Sequence, residues 1–259
     1  MRNLLLFILS CTFFGVMAQK RPQSQFRFGI EYGNSQIAEK INSRWEIRQT
    51  VNDYSGDENQ YRGGSAKGEG RIEHIGLKAE LSLWQERLTL TSGLRFTKVK
   101  ERISSKENPP YLYLYTPSNM GLEFFRVKEM TESINYLSIP LEADILLLGY
   151  LSNWQVYAKG GIQTGVKVYE DTSINFVSQE MQAYEKEILT KAGENANTFF
   201  STVYYGLGLR LTLENDTRFS IEVISPHLFI KDNFTLLKTE SYAGIRLSAV
   251  VPLNIFASK

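Results

Sequence analysis

Glu142 and Asp144 stand two residues apart, a spacing that on an extended chain turns both carboxylates to one side. Such a pair is the minimal set for general acid-base chemistry, and equally a natural partner for buried cations. Ser225 and His227 share the same spacing, and Glu222 or Asp232 is near enough in sequence to orient the imidazole, as a serine nucleophile with a histidine base would need. His74 is the only other histidine. The plainer reading of His227 is a water-exposed rim residue beside an irregularity at Pro226, and that reading is adopted. Asp53, Asp57 and Glu58 lack the spacing of a calcium loop, and the chain carries no phosphate-cradling glycine motif and no zinc-ligand cluster. The sequence therefore predicts no catalytic residue, no metal, no cofactor and no enzyme.

Glu142 and Asp144 belong to residues 136–148, where Leu137, Ile139, Leu141, Ala143, Ile145 and Leu147 share one face while Ser138, Glu142 and Asp144 share the other. That is a β-strand with charge on one side and grease on the other. Seven further segments carry this alternation, each near the roughly 9 to 11 residues of a tilted transmembrane strand: 25–34, 73–84, 87–100, 154–169, 199–213, 217–229 and 240–251. The pattern in 217–229 fails around Pro226, and 240–251 changes phase near Tyr242, where a bulge is expected.

The start of the chain sets the compartment. Arg2, an apolar run from Leu4 to Met17 and the small-residue site before Gln19 read as a secretory signal covering residues 1–18, with one domain over 19–259. The alternative, a lipoprotein modified at Cys11, fits less well because the apolar run continues past that cysteine. Cys11 is the sole cysteine and leaves with the signal, so no disulfide framework forms. With 29 basic and 28 acidic residues, loss of Arg2 leaves the two signs equal, and no basic excess points to nucleic acid.

Residues 84–86, 149–153 and 214–216 are short turns, whereas 35–72, 101–133, 170–198 and 230–239 are long connections alternating with them. All short turns then fall at one end, the signature of an outer-membrane barrel with short periplasmic turns and long outer loops. The expected fold is all-β: an eight-stranded antiparallel up-and-down transmembrane β-barrel with long extracellular loops, one carrying a short helix. A soluble lipocalin-like barrel is the alternative, with the apolar faces turned inward. In the membrane arrangement the polar faces line the lumen with Arg27, Lys78, Arg95, Lys159, Lys167, Arg210 and Arg246 against Glu31, Glu80, Glu142, Asp144, Glu222 and Glu240. A barrel of about eight strands has room only for side chains, so this charge network is expected to pair and close the lumen.

The segment Ile134-Asn135-Tyr136-Leu137-Ser138-Ile139-Pro140-Leu141, followed by a hydrophobic strand and Val156-Tyr157-Ala158-Lys159-Gly160-Gly161, resembles the core of the PorT-like outer-membrane β-barrel family. The resemblance implies an eight-stranded outer-membrane barrel, and the family's namesake takes part in type IX protein secretion. Ser138 stands where the family carries an acidic residue, and no second proline precedes Val156, so the likeness is to the broad family.

The outer loops are the expected working surface, since binding residues gather on loops held by a rigid scaffold. Ser178 is placed to cap a helix over 179–192 that Gly193 stops, with Met181, Tyr184, Ile188 and Leu189 on one stripe. Tyr111, Tyr113 and Tyr115 lie in an aromatic run expected to form a hairpin with residues 122–127 above the membrane. The sequence thus predicts a closed barrel serving as a structural or binding module, with outer-membrane lipid and other envelope proteins as partners. A small-solute channel is the alternative; a lipid A-modifying enzyme using Ser225 and His227, which a resemblance to some small outer-membrane barrels implies, is the less favoured one, and the oligomeric state is left open.

Overall fold

The computed structural model describes residues 25–37, 41, 46–48, 66–84, 86–106, 110–118, 121–150, 153–192, 198–229, 236–237 and 243–253. The signal segment, the expected bulge at Tyr242, Glu240 and Gly193 lie outside them. Ten strands form: β1 (Gln25–Ile37), β2 (Glu46–Arg48), β3 (Ala66–Leu83), β4 (Leu88–Ser105), β5 (Leu112–Ser118), β6 (Gly121–Tyr150), β7 (Trp154–Phe176), β8 (Phe199–Thr212), β9 (Arg218–Phe229) and β10 (Gly244–Pro252). Eight of them pair in a ring, β6-β4-β3-β1-β10-β9-β8-β7, closed by β7 against β6, and every pairing is antiparallel. The expected eight-stranded barrel is therefore present. The remaining strands, β5 and β2, continue the sheet outward from the upper part of β6.

The alternation in the sequence becomes an inside and an outside. Ile139, Leu141 and Ile145 are 55%, 63% and 57% exposed, while their neighbours Ser138, Glu142 and Asp144 are buried. Phe28, Leu77, Leu94, Ile162, Leu207, Ile221 and Leu247 continue this apolar band around the ring. A lipocalin-like arrangement would have buried these residues, so the charges occupy the interior and that alternative is set aside.

Local irregularities have identifiable causes. Pro140 has no N–H to give to the ladder, and the β4–β6 pairing skips the rows between Ser92–Leu141 and Arg95–Ser138. The Ser92 hydroxyl donates to the Pro140 carbonyl at 3.0 Å instead. A register shift at Leu146/Leu148 leaves Leu147 and Leu148 both exposed, and one at Val203/Tyr205 lies opposite Pro226, where the alternation fails. In the tight turns Trp84, Glu86 and Asp216 adopt φ of 50°, 69° and 61°, the left-handed region that few residues other than glycine favour.

The wall is higher on one side. β6 runs for 30 residues and β7 for 23, against 12 for β9 and 9 for β10. Beyond the apolar band the faces exchange character: Val99, Ile103, Met130 and Ile134 turn inward and are buried, whereas Lys100 and Arg102 turn outward. A 310 turn (Gln179–Tyr184) and helix α1 (Glu185–Ala192) fold back onto β7. Ser178 holds the N-cap position but its side chain makes no capping bond, because the first turn is 310. Instead Glu185 accepts from the Ile174 amide at 2.6 Å and Gln182 donates to the Ile174 carbonyl at 3.0 Å.

Candidate functional site

Three storeys fill the barrel. At the short-turn end Arg27 donates to Ser82 Oγ at 2.9 Å, to Glu86 Oε1 at 3.2 Å and to the Asp216 carbonyl at 3.3 Å. Arg218 also donates to Ser82 at 3.0 Å and pairs with Glu86, which Gln155 approaches from the other side at 3.1 Å. The left-handed turn at Glu86 is what folds its carboxylate back under the barrel.

The middle storey centres on Glu142. Its Oε1 lies 2.5 Å from both Arg95 and Arg246 and accepts from the Tyr204 hydroxyl, and its Oε2 lies 2.6 Å from Lys159. Each of those cations has another carboxylate: Arg95 reaches Glu31, with one contact at 2.9 Å, Lys159 lies 3.1 Å from both Asp144 and Glu222, and Arg246 lies 3.4 Å from Glu222. Arg210 pairs with Asp144 at 2.7 Å and stacks on Tyr157, whose hydroxyl donates to Glu222 at 2.7 Å. Lys78 lies 2.9 Å from Glu80 and donates to Ser248 at 3.1 Å. All these charged groups are at most 4% exposed.

Gln163 closes the polar storey by donating to Thr97 at 3.0 Å and Ser138 at 2.8 Å. The serine at position 138 fits its place, because the Arg95 side chain nearby is already shared by Glu31 and Glu142. Above it an apolar layer of Ile72, Val99, Ile134, Tyr136 and Phe200 crosses the lumen, with the Tyr136 and Phe200 rings stacked at 5.2 Å. A carboxyl pair follows. Glu101 stands directly opposite Glu132 in register, both 2% exposed, and accepts from the Leu236 and Leu237 amides at 3.2 and 3.0 Å. Burial, then the facing Glu132, pushes the Glu101 carboxyl well above the ordinary range, and the two amides pull it back only in part. The cap closes over this pair with Ile103, Leu112, Leu114, Val127, Met130, Ile174, Phe176, Ile188, Leu236 and Leu237.

Of the lumen residues expected from sequence, Arg27, Glu31, Lys78, Glu80, Arg95, Glu142, Asp144, Lys159, Arg210, Glu222 and Arg246 are all brought inside. Lys167 is not among them: it pairs in register with Tyr136, at the level of the apolar layer, and binds Glu170 of its own strand. Arg218 and Glu86 take part although they were not expected; Arg218 was legible, since it shares the inward phase of Ser220 and Glu222. Seven cations (Arg27, Lys78, Arg95, Lys159, Arg210, Arg218, Arg246) thus meet six anions (Glu31, Glu80, Glu86, Glu142, Asp144, Glu222).

The expected hairpin forms, with Leu112 opposite Val127 and Ser118 opposite Gly121. Tyr113, however, is fully buried, packed edge-on between Tyr111 and Phe124, so it offers nothing to a partner. Ile188 is likewise buried in the cap, because α1 packs this residue down onto β5 and β7. Met181 and Tyr184 stay exposed, Tyr111 is half-buried, and the side chains of Tyr115, Ser225 and His227 lie outside the described residues. Glu222 points into the lumen and is held by Tyr157, Lys159 and Arg246. Among the described residues no group of three or more His, Cys, Asp or Glu side chains could hold a metal ion, and no helix is long and apolar enough to cross a membrane.

No family model matches the chain, and no curated protein does. Among solved structures it is similar to the outer membrane protein OprG from Pseudomonas aeruginosa, at 11% identity and a TM-score of 0.43, over 88% of this chain and 93% of that one. The transport unit of the autotransporter AIDA-I from Escherichia coli follows at 7% identity and a TM-score of 0.23, over 95% of this chain and 96% of that one. A deletion mutant of the monoaromatic hydrocarbon channel TodX gives 7% and 0.23, over 90% of each chain.

Proposed function

We propose that this chain is exported as an integral outer-membrane β-barrel, and that it works as a structural or binding module through the cap at its long-connection end. The carrying observation is the inverted distribution of charge. Seven cations and six anions are buried inside a ring whose outer face is apolar, an arrangement that water would not support and a bilayer requires. Trp84 and Trp154, 72% and 49% exposed near the short-turn end, sit where an interfacial girdle belongs.

The lumen is occupied by side chains bonded to one another, and the apolar layer at Tyr136 and Phe200 lies across it, which favours anchoring over solute passage. The role is non-enzymatic in this reading. Resemblance to the PorT-like family in 134–141 and 156–161 supports it and places a secretion or other envelope assembly among the candidate partners.

The membrane assignment is tested by heat-modifiable migration on a denaturing gel and by partition into a detergent phase. The module is tested by cross-linking in outer-membrane extract. A specific partner should be recovered by the parent protein and lost when Met181→Asp and Tyr184→Asp are combined. Equal recovery by that variant would count against the cap as the working surface.

A further inference from the structure

Above the apolar band the outer wall changes chemistry within one step along β3, β4 and β6. Phe96, Ile75 and Leu137 are exposed and apolar; the next outward residues are Lys98, Glu73 and Asn135. From there β3 and β4 place Arg71 directly opposite Lys100, on a row that runs from Gln36 of β1 through Ser133 of β6 to Asp171 of β7. Like charges directly opposite in an antiparallel pair destabilise it unless an anion lies between them. Arg71, Lys67 and Arg102 have carboxylate partners in Glu73, Glu69 and Glu129, at 3.0, 2.5 and 2.6 Å. Lys98 and Lys100 form no ion pair with any described residue. A cleft of about 600 Å3 overlies the Arg71 and Lys100 row, lined among others by Arg71, Lys100, Arg102, Thr131 and Ser133, with Lys98 on the row below it. Glu69, Glu101, Glu132 and Asp171 also border it; Glu69 is paired with Lys67, and Glu101 and Glu132 are buried.

The height of the patch selects its ligand. Lys98 and Lys100 lie two and four residues beyond Phe96, or about 7 and 14 Å along a strand rising ~3.4 Å per residue. For a strand tilted by about 40° that is roughly 5 and 10 Å above the edge of the band, and the headgroup layer occupies about the first 5 to 8 Å beyond the hydrocarbon. Lysine and arginine stems bend toward that layer while keeping their charge in it. We infer that Arg71, Lys98 and Lys100 on the outer wall form a binding site for the phosphate of an outer-leaflet glycolipid headgroup, with the acyl chains lying on the apolar band below. The inference rests on the membrane assignment proposed above.

Protein folded in detergent micelles is mixed with diphosphorylated lipid A, the dephosphorylated lipid, or inorganic phosphate, and adducts are measured by native mass spectrometry. Diphosphorylated lipid A should be retained over the dephosphorylated form. Combining Arg71→Gln, Lys98→Gln and Lys100→Gln should weaken retention at least tenfold, while Lys128→Gln, exposed elsewhere on β6, should not. Equal retention of the two lipids, or an unchanged triple variant, would overturn the site. Inorganic phosphate held as well as the lipid would make it a free-anion site and overturn the headgroup assignment. A parent protein that shows no heat-modifiable migration in micelles defeats the membrane reading itself, before any lipid is added.

Discussion

Replacing Glu142 by glutamine removes one negative charge from the centre of the lumen while keeping its size. The carboxylate serves three cations, Arg95 and Arg246 at 2.5 Å and Lys159 at 2.6 Å, together with the Tyr204 hydroxyl. A glutamine supplies one acceptor and one amide group, so if its oxygen stays with the arginines its amide faces the Lys159 ammonium, donor against donor. Breaking a buried ion pair from one side costs about 3 to 5 kcal/mol. Here Lys159 retains Asp144 and Glu222, Arg95 retains its close pair with Glu31, and Arg246 is left with the more distant Glu222, at 3.4 Å. The loss should therefore fall at the lower end, about 3 kcal/mol. With a urea slope of about 1 to 3 kcal/mol per molar, the unfolding midpoint in micelles should fall by at least ~1 M. Adding Arg246→Gln restores the charge balance, so the double variant should be more stable than the sum of the two single losses predicts. A midpoint for Glu142→Gln indistinguishable from the parent would refute the reasoning, since it would mean that the lumen is hydrated and its charges independent.

Two further outcomes follow from close approaches and from titration. A Cβ on Gly208 would lie 2.2 Å from the Tyr157 ring, so Gly208→Ala should displace the ring, weaken its bond to Glu222 and cost about 1 to 3 kcal/mol in the same unfolding assay; Gly160→Ala, which meets nothing within 4 Å, should cost far less. Glu101 has a folded pKa above its unfolded value, so the stability it gives the cap is present at acid pH and is lost as pH rises from the ordinary carboxylate range toward that raised value. The facing Glu132 is acidic and adds to the effect. Hydrogen exchange at Leu236 and Leu237, corrected for the intrinsic pH dependence, should speed up as pH rises, and Glu101→Gln should abolish the excess; a parent with no excess would contradict the buried acid pair.

The barrel itself was legible because one rule holds along the strands that form the ring, apolar out and polar in. Residues such as Leu141 and Glu142 report it directly. The same rule had Arg218 in plain view. It could not reach Glu86, which enters the lumen from a turn with left-handed φ, where no period exists. Nor could it follow the strands upward, because above the band the rule reverses. Ile103 and Met130 pack inside while Arg102 faces water, so β4 and β6 run on past the points where the alternation stops looking like a membrane strand. The hairpin of β5 was visible in its aromatic run, but which tyrosine would be buried depended on Phe124, ten or more residues away in sequence. Lys167 has the right phase for the lumen and the wrong height, a distinction that alternation along one strand does not carry.

Single-channel recording on heat-modifiable protein inserted in a planar bilayer tests the filled lumen most directly. A side-chain-packed interior crossed by the Tyr136 and Phe200 layer predicts no sustained conductance steps, and steady, reproducible steps from the parent protein would contradict it.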